Sequence, residues 1–190
     1  MRIKTLKALK SLCKRGGEEY EHAVTFFTKG TASELLFRKE FQSLLPEGLA
    51  IVKASHFTEC DKSFGLPDRP AKAPTDYAII YKSTIIAAIE VTTGKAGYSY
   101  ASSKELPTSE DKLERMDRFF GCFVVMLVLV GEPRFIWATS SDIRTFKAEL
   151  DNDGELMHWS SPKIWKQGLN GLADAVVKLA ERVDELVKAA

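Results

Sequence analysis

Residues 122–130 read CFVVMLVLV, nine positions without a charged or amide side chain. A bilayer-spanning helix needs about 20 apolar residues, so this run is too short to cross a membrane. Its valine content and length instead predict a central β-strand buried on both faces. Such a strand needs apolar cover above and below, and that requirement alone points to a layered α/β architecture.

The flanking patterns supply the layers. Helical spacing over residues 32–45 places Leu35, Leu36, Phe41, Leu44 and Leu45 on one side, and Pro46-Glu47-Gly48 ends the segment. Residues 49–54 predict a strand. Residues 76–81 and 84–91 predict two more, joined at Lys82-Ser83 as a hairpin. Residues 110–120 predict a helix with Leu113, Met116, Phe119 and Phe120 inward. Residues 135–138 predict a last strand, followed by Thr139-Ser140-Ser141-Asp142, where Asp142 is suited to capping a helix. Two polar, Pro- or Gly-containing stretches, 58–73 and 92–103, predict loops, and the acidic stretch 145–162 predicts a surface excursion. The helix at 110–120 would join two parallel strands by a right-handed crossover. The expected fold is therefore a three-layer-like α/β sandwich with a mixed central sheet flanked by helices.

The expected organisation is a basic segment (1–16), an α/β core (17–162) and a C-terminal amphipathic helix (163–190). In the last, Leu169, Leu172, Val176, Leu179, Val183 and Leu186 step by three and four, a heptad seam. That helix packs on its own core or mediates a homodimer. Residues 1–15 hold six Lys or Arg and no acid, with Ile3, Leu6, Leu9 and Cys13 at helical spacing. Such an arm could meet phosphate, an acidic membrane surface or the domain itself. The net charge of the whole chain is only +1, which excludes polyanion binding by bulk charge. With 45% hydrophobic and 28% charged residues, the chain is not of the disordered class. The lysines near the start interrupt any secretory apolar core. Cys13, Cys60 and Cys122 lack CxxC spacing, so reduced thiols and a cytoplasmic location are expected, with no cysteine zinc site. His22, His56 and His158 show no metal-binding spacing.

Three acids stand out. Asp76 opens a strand. Glu90 ends the next strand behind Ile85-Ile86-Ala87-Ala88-Ile89, and Glu34 lies in the first turns of the preceding helix. A carboxylate behind five apolar residues is partly desolvated and needs a counter-charge. Should the hairpin bring Asp76 beside Glu90, two hard oxygen donors would converge, a set that suits Mg2+ or Mn2+. Isolated, each acid has a plainer reading: Asp76 as a turn residue, Glu90 in an ion pair with Lys82 or Lys95, Glu34 as a helix N-terminal acid.

The order of these pieces resembles the PD-(D/E)XK nuclease superfamily, the restriction-endonuclease-like fold. The motif reads Pro74-Thr75-Asp76, then Glu90-Val91-Thr92, and Gly30-Thr31-Ala32-Ser33-Glu34 is similar to the start of the family's first helix as seen in archaeal Holliday-junction resolvases. Pro67-Asp68 is a second candidate for the first acid, but it sits in the Pro-rich loop. Where the family has lysine this chain has Thr92, as in some restriction and nicking enzymes. The resemblance covers residues 30 to 140 and implies a metal-dependent DNA endonuclease. Asp76 and Glu90 would hold the metal, Glu34 would help through a water, and Lys95 would orient the attacking water. Tyr98, Tyr100 and Lys104, with Lys95, would approach DNA in the loop beyond Glu90, and Lys112 would add charge to the same face. The Thr92 substitution leaves open a catalytically inactive binding or assembly module of the same fold.

Overall fold

A computed structural model describes residues 3–21, 29–54, 75–93, 107–129, 132–145, 147–150, 152–159 and 162–189. Its main sheet has six strands: β1 (Leu49–Lys53), β2 (Tyr77–Tyr81), β3 (Thr84–Thr93), β5 (Gly121–Val128), β6 (Arg134–Thr139) and β9 (Lys166–Gln167), in the spatial order β1-β2-β3-β5-β6-β9. The β3–β5 pair is parallel and its neighbours are antiparallel, so the sheet is mixed as expected. The β2–β3 hairpin turns at Lys82 and Ser83, both at positive φ (47° and 64°), the geometry of a tight two-residue turn that matches strand twist.

Alternation along β5 sorts the core into two layers. Phe123, Val125 and Leu127 face one layer, together with Leu36, Phe37, Phe41, Ile79, Ile89, Leu172 and Val176. Val124, Met126 and Val128 face the other, with Ala88, Leu113, Met116, Ile136, Ile143 and Trp165. Strand β5 is thus buried on both faces, as its apolar run demands. The first layer is covered by α1 (Ile3–Gly16), α2 (Lys29–Gln42) and α5 (Leu169–Ala189). The second is covered by α3 (Glu110–Met116) and α4 (Ser140–Arg144).

Helix α1 joins the first layer through Leu12, which is buried, and Arg15, which makes two hydrogen bonds to the Glu40 carboxylate at 2.8 and 2.9 Å. Asp142 closes a reciprocal cap with Thr139 at the start of α4, the role its spacing predicts. Gly121 starts β5 where α5 comes close: a Cβ there would collide with the Leu179 side chain. At the hairpin turn, Tyr81 and Lys82 both donate to Asp184 at 2.8 Å and tether β2 to α5.

Three expectations need correction. Phe120 is 62% exposed, because the helix before it ends at Met116 and the chain turns outward before β5. The supposed excursion at 145–162 instead carries β7 (Lys147–Leu150) and β8 (Leu156–Trp159). With β4 (Pro107–Ser109) they form a second, three-stranded sheet in the order β4-β8-β7. The C-terminal segment is not helical from 163: a short turn of 3-10 helix (Pro162–Ile164) and β9 precede α5.

Candidate functional site

The site is built at the end of the β2–β3 ribbon by strand parity. Tyr77 pairs with Ile89, and both side chains enter the first core layer. Asp76 and Glu90, one step outward on each strand, therefore turn to the opposite face, the side of Ala88 and Val124. Asp76 is fixed by its own hairpin partner, since the Val91 backbone N–H donates to its Oδ2 at 2.7 Å. Its carbonyl accepts from the Ala54 N–H at 3.0 Å, which anchors it to the end of β1.

Glu90 is 8% exposed. Burial first, and the facing Asp76 carboxylate second, push its carboxyl up to about 8, and the two groups are close enough to share a hydrogen bond. Opposing this is Lys112 of α3, whose ammonium pairs with Glu90 Oε1. Lys112 is placed by helix geometry: Ser109 caps α3 and its hydroxyl accepts from the Lys112 N–H at 3.4 Å, so Lys112 falls in the first turn. The lysine side chain thus reaches back across the parallel β3–β5 pair to the buried acid.

Glu34 approaches from α2, whose Ser33 hydroxyl lies 2.6 Å from that of Thr93 at the end of β3. The Tyr77 hydroxyl donates to the Glu34 carbonyl at 3.1 Å. Burial and then the Asp76 charge raise the Glu34 carboxyl, while Lys53 (3.6 Å from Oε2) and Lys112 act against them. Glu34 is thus electrostatically part of the group, yet its nearest cation is Lys53. Among the described residues no three His, Cys, Asp or Glu side chains cluster tightly enough to hold a metal by themselves. Two carboxyl groups, Asp76 and Glu90, are the close pair.

Thr92 lies two residues beyond Glu90 on the same face, where it helps to line a cavity of about 260 Å3 shared with Glu90 and Lys112. Lys95, Tyr98, Tyr100 and Lys104 lie outside the described residues, as do Asp68 and Pro74. The residue that motif reading undervalued is Lys112. It is 22 positions after Glu90, on a different element, and no local spacing links the two; a lysine one helical turn after a serine cap was the available signal.

No protein-family model and no curated protein matches the sequence. Among solved structures, the chain is similar to Hjc, a Holliday junction resolvase from the archaeal hyperthermophile Archaeoglobus fulgidus. The match has 14% sequence identity and a TM-score of 0.46, and it covers 76% of this chain and 99% of that one.

Proposed function

We propose that the chain is a divalent-metal-dependent nuclease that hydrolyses phosphodiester bonds in DNA, of the restriction, nicking or junction-resolving type. One observation carries this reading: a two-carboxyl pair, one member buried, sits against a lysine at the open end of a β-ribbon. Burying like charges together is costly, and a fold that retains such a pair has a positive ion to gain by it.

The donor set fits Mg2+ or Mn2+. Mg2+ is held through one or two carboxylates plus substrate phosphates, keeping several waters, and Asp76 and Glu90 supply that number. Asp76 is held rigid by the Val91 N–H and presents its remaining lone pairs. Glu34, which pairs with Lys53, would join the same centre through a water. When bound, such an ion supplies a water of lowered pKa and neutralises charge on the phosphate.

The chain's own cation is Lys112. Its ammonium pairs with Glu90 and lines the same cavity as Thr92, the position at which the motif lysine is missing. There it orients the attacking water by hydrogen bonding and stabilises the charge that develops on the phosphoryl oxygens. Lys95, the expected holder of this role, lies outside the described residues; among the described lysines Lys112 pairs with Glu90. The inactive-module reading rests on the absence of a lysine at position 92; Lys112, delivered from α3, supports the active reading.

The test is cleavage of supercoiled plasmid and of branched DNA with Mg2+ or Mn2+. Wild type is expected to cut, and Asp76→Asn and Glu90→Gln are expected to be inactive while remaining folded. Absence of cutting by wild type with either metal, on either substrate, would overturn the proposal.

A further inference from the structure

The second sheet does more than decorate the fold, because it lines a cavity shared with Glu90. The cavity beside Glu90 and Lys112 has its floor on β5 at Val124 and its opposite wall on Thr108 of β4, Met157 of β8 and Trp165. Two elements of the second sheet thus close one side of the site. Thr108 pairs with His158, so the wall residues are in fixed register.

That roof is clamped. Arg144 of α4 makes hydrogen bonds from Nε and Nη2 to the Glu110 carboxylate at 2.6 to 3.1 Å, and its Nη1 pairs with Asp117 at 2.7 Å. The other face of Glu110 meets His158 of β8, which is buried. Helix α3, which carries Lys112, and strand β8, which carries Met157, are therefore held to one another by a charged network. The cavity is a fixed shape.

Its size and lining select an occupant. At about 260 Å3 it lies below the roughly 300–1,000 Å3 of pockets that take drug-sized ligands, a size that suits a single flat ring system. Val124, Met157 and Trp165 give it apolar, polarizable surface. Thr108, the Ser109 cap and the carboxylate of Glu155 give it polar points, beside Glu90 and Lys112. A slot with apolar walls, hydroxyls and a carboxylate that can accept from a base edge, next to the proposed phosphodiester centre, is the chemistry that receives a nucleobase taken out of the stack.

We infer that this cavity binds one unstacked nucleobase adjoining the phosphodiester held at Asp76, Glu90 and Lys112. The inference rests on the nuclease reading and narrows its substrate: the base beside the cut is unpaired, or in a duplex that opens easily at that position. Intact B-form duplex must pay for the unpairing first, and single-stranded or mismatched DNA does not.

The experiment uses single-stranded oligonucleotides carrying 2-aminopurine at each position in turn, bound without metal to the full chain. One position is expected to change its emission by about twofold or more. Thr108→Phe, and independently Met157→Trp from the facing strand, fill the cavity. Each should abolish that response while changing overall binding by less than about threefold, as read by anisotropy. In parallel, wild type with Mg2+ should cut a duplex mismatched at that position about tenfold faster than a fully paired one. Emission profiles that are flat in wild type, or unchanged in both filled variants, would overturn the inference. Cleavage with no positional emission response removes the base pocket and leaves the nuclease; a positional response without cleavage under any metal removes the nuclease and leaves the base pocket.

Discussion

At the scale of single residues, Glu90 governs how the molecule responds to pH. Its carboxyl is raised from the ordinary 4.5 to about 8 by burial and by Asp76. Between those values the unfolded chain has lost the proton that the folded chain keeps. The folded state binds more protons, so stability contributed here is present at low pH and is lost as pH rises through the folded value. Metal-free protein should therefore show a melting temperature that declines between pH 5 and 8, and Glu90→Gln should flatten that decline. A divalent ion held by the pair should reverse the slope, since it binds the deprotonated form; a scan of melting temperature against pH with and without Mg2+ reads both. Lys112 gives a second residue-scale expectation. Lys112→Met should lower kcat by roughly 10^2 to 10^4-fold, the range for loss of a positioned acid–base group. Lys112→Arg should recover part of it, and KM should move much less than kcat. Equal loss in kcat and in fold stability would mean that Lys112 only neutralises Glu90. The sequence made Glu90 visible because an acid after five apolar residues is hard to explain otherwise, and Asp76 because it opens the paired strand. It showed Lys112 only as charge on the same face, because its contact with Glu90 depends on how α3 packs on the sheet.

Among the elements, the second sheet depends on one charged junction. Glu110 is held below the ordinary carboxylate value, chiefly by its hydrogen bonds from Arg144. For a carboxyl lowered in this way, stability is present above the unfolded value and is lost as pH falls through the folded one. Arg144→Ala leaves Glu110 with His158 alone and Asp117 without its guanidinium. It should cost about 1–3 kcal/mol, the range for hydrogen bonds to charged groups, and should release β7 and β8 before the main sheet. Hydrogen exchange checks this: amides of residues 147–150 and 156–159 should lose protection in wild type as pH falls below the ordinary carboxylate range, and at neutral pH in the variant, while those of 121–128 keep theirs. Reading 145–162 as a surface excursion followed from its acidity and short apolar runs. Strands of four residues with exposed Glu149, Leu150 and Leu156 carry almost no period-two signal, and their partner β4 is three residues long. By contrast β5 was legible from its first four residues, since only a strand covered on both sides tolerates such a run.

For the whole molecule the open choice in the sequence was what the heptad seam of α5 covers. A seam repeating by three and four serves equally a partner helix or a chain's own sheet, and spacing alone does not separate the two. The structure divides the seam along its length. Leu169, Leu172, Ala173, Val176 and Ala180 are buried in the first core layer, and Leu179 and Val183 pack at its margin. Leu186 is 52% and Val187 72% exposed. The first turns of α5 are thus an integral wall of the core, and only its last turns project past the sheet. No helix among the described residues is long and apolar enough to cross a membrane. These burials set unequal costs. Leu172→Ala removes a fully buried side chain and should lower stability by about 2–5 kcal/mol, whereas Leu186→Ala should change it by less than about 0.5 kcal/mol. Urea unfolding of both variants measures the two costs. If α5 serves its own core only, the melting temperature should also be independent of protein concentration over a hundredfold range. A melting temperature that climbs with concentration, and stops climbing in Leu186→Ala, would instead place the end of the seam between two copies of the chain.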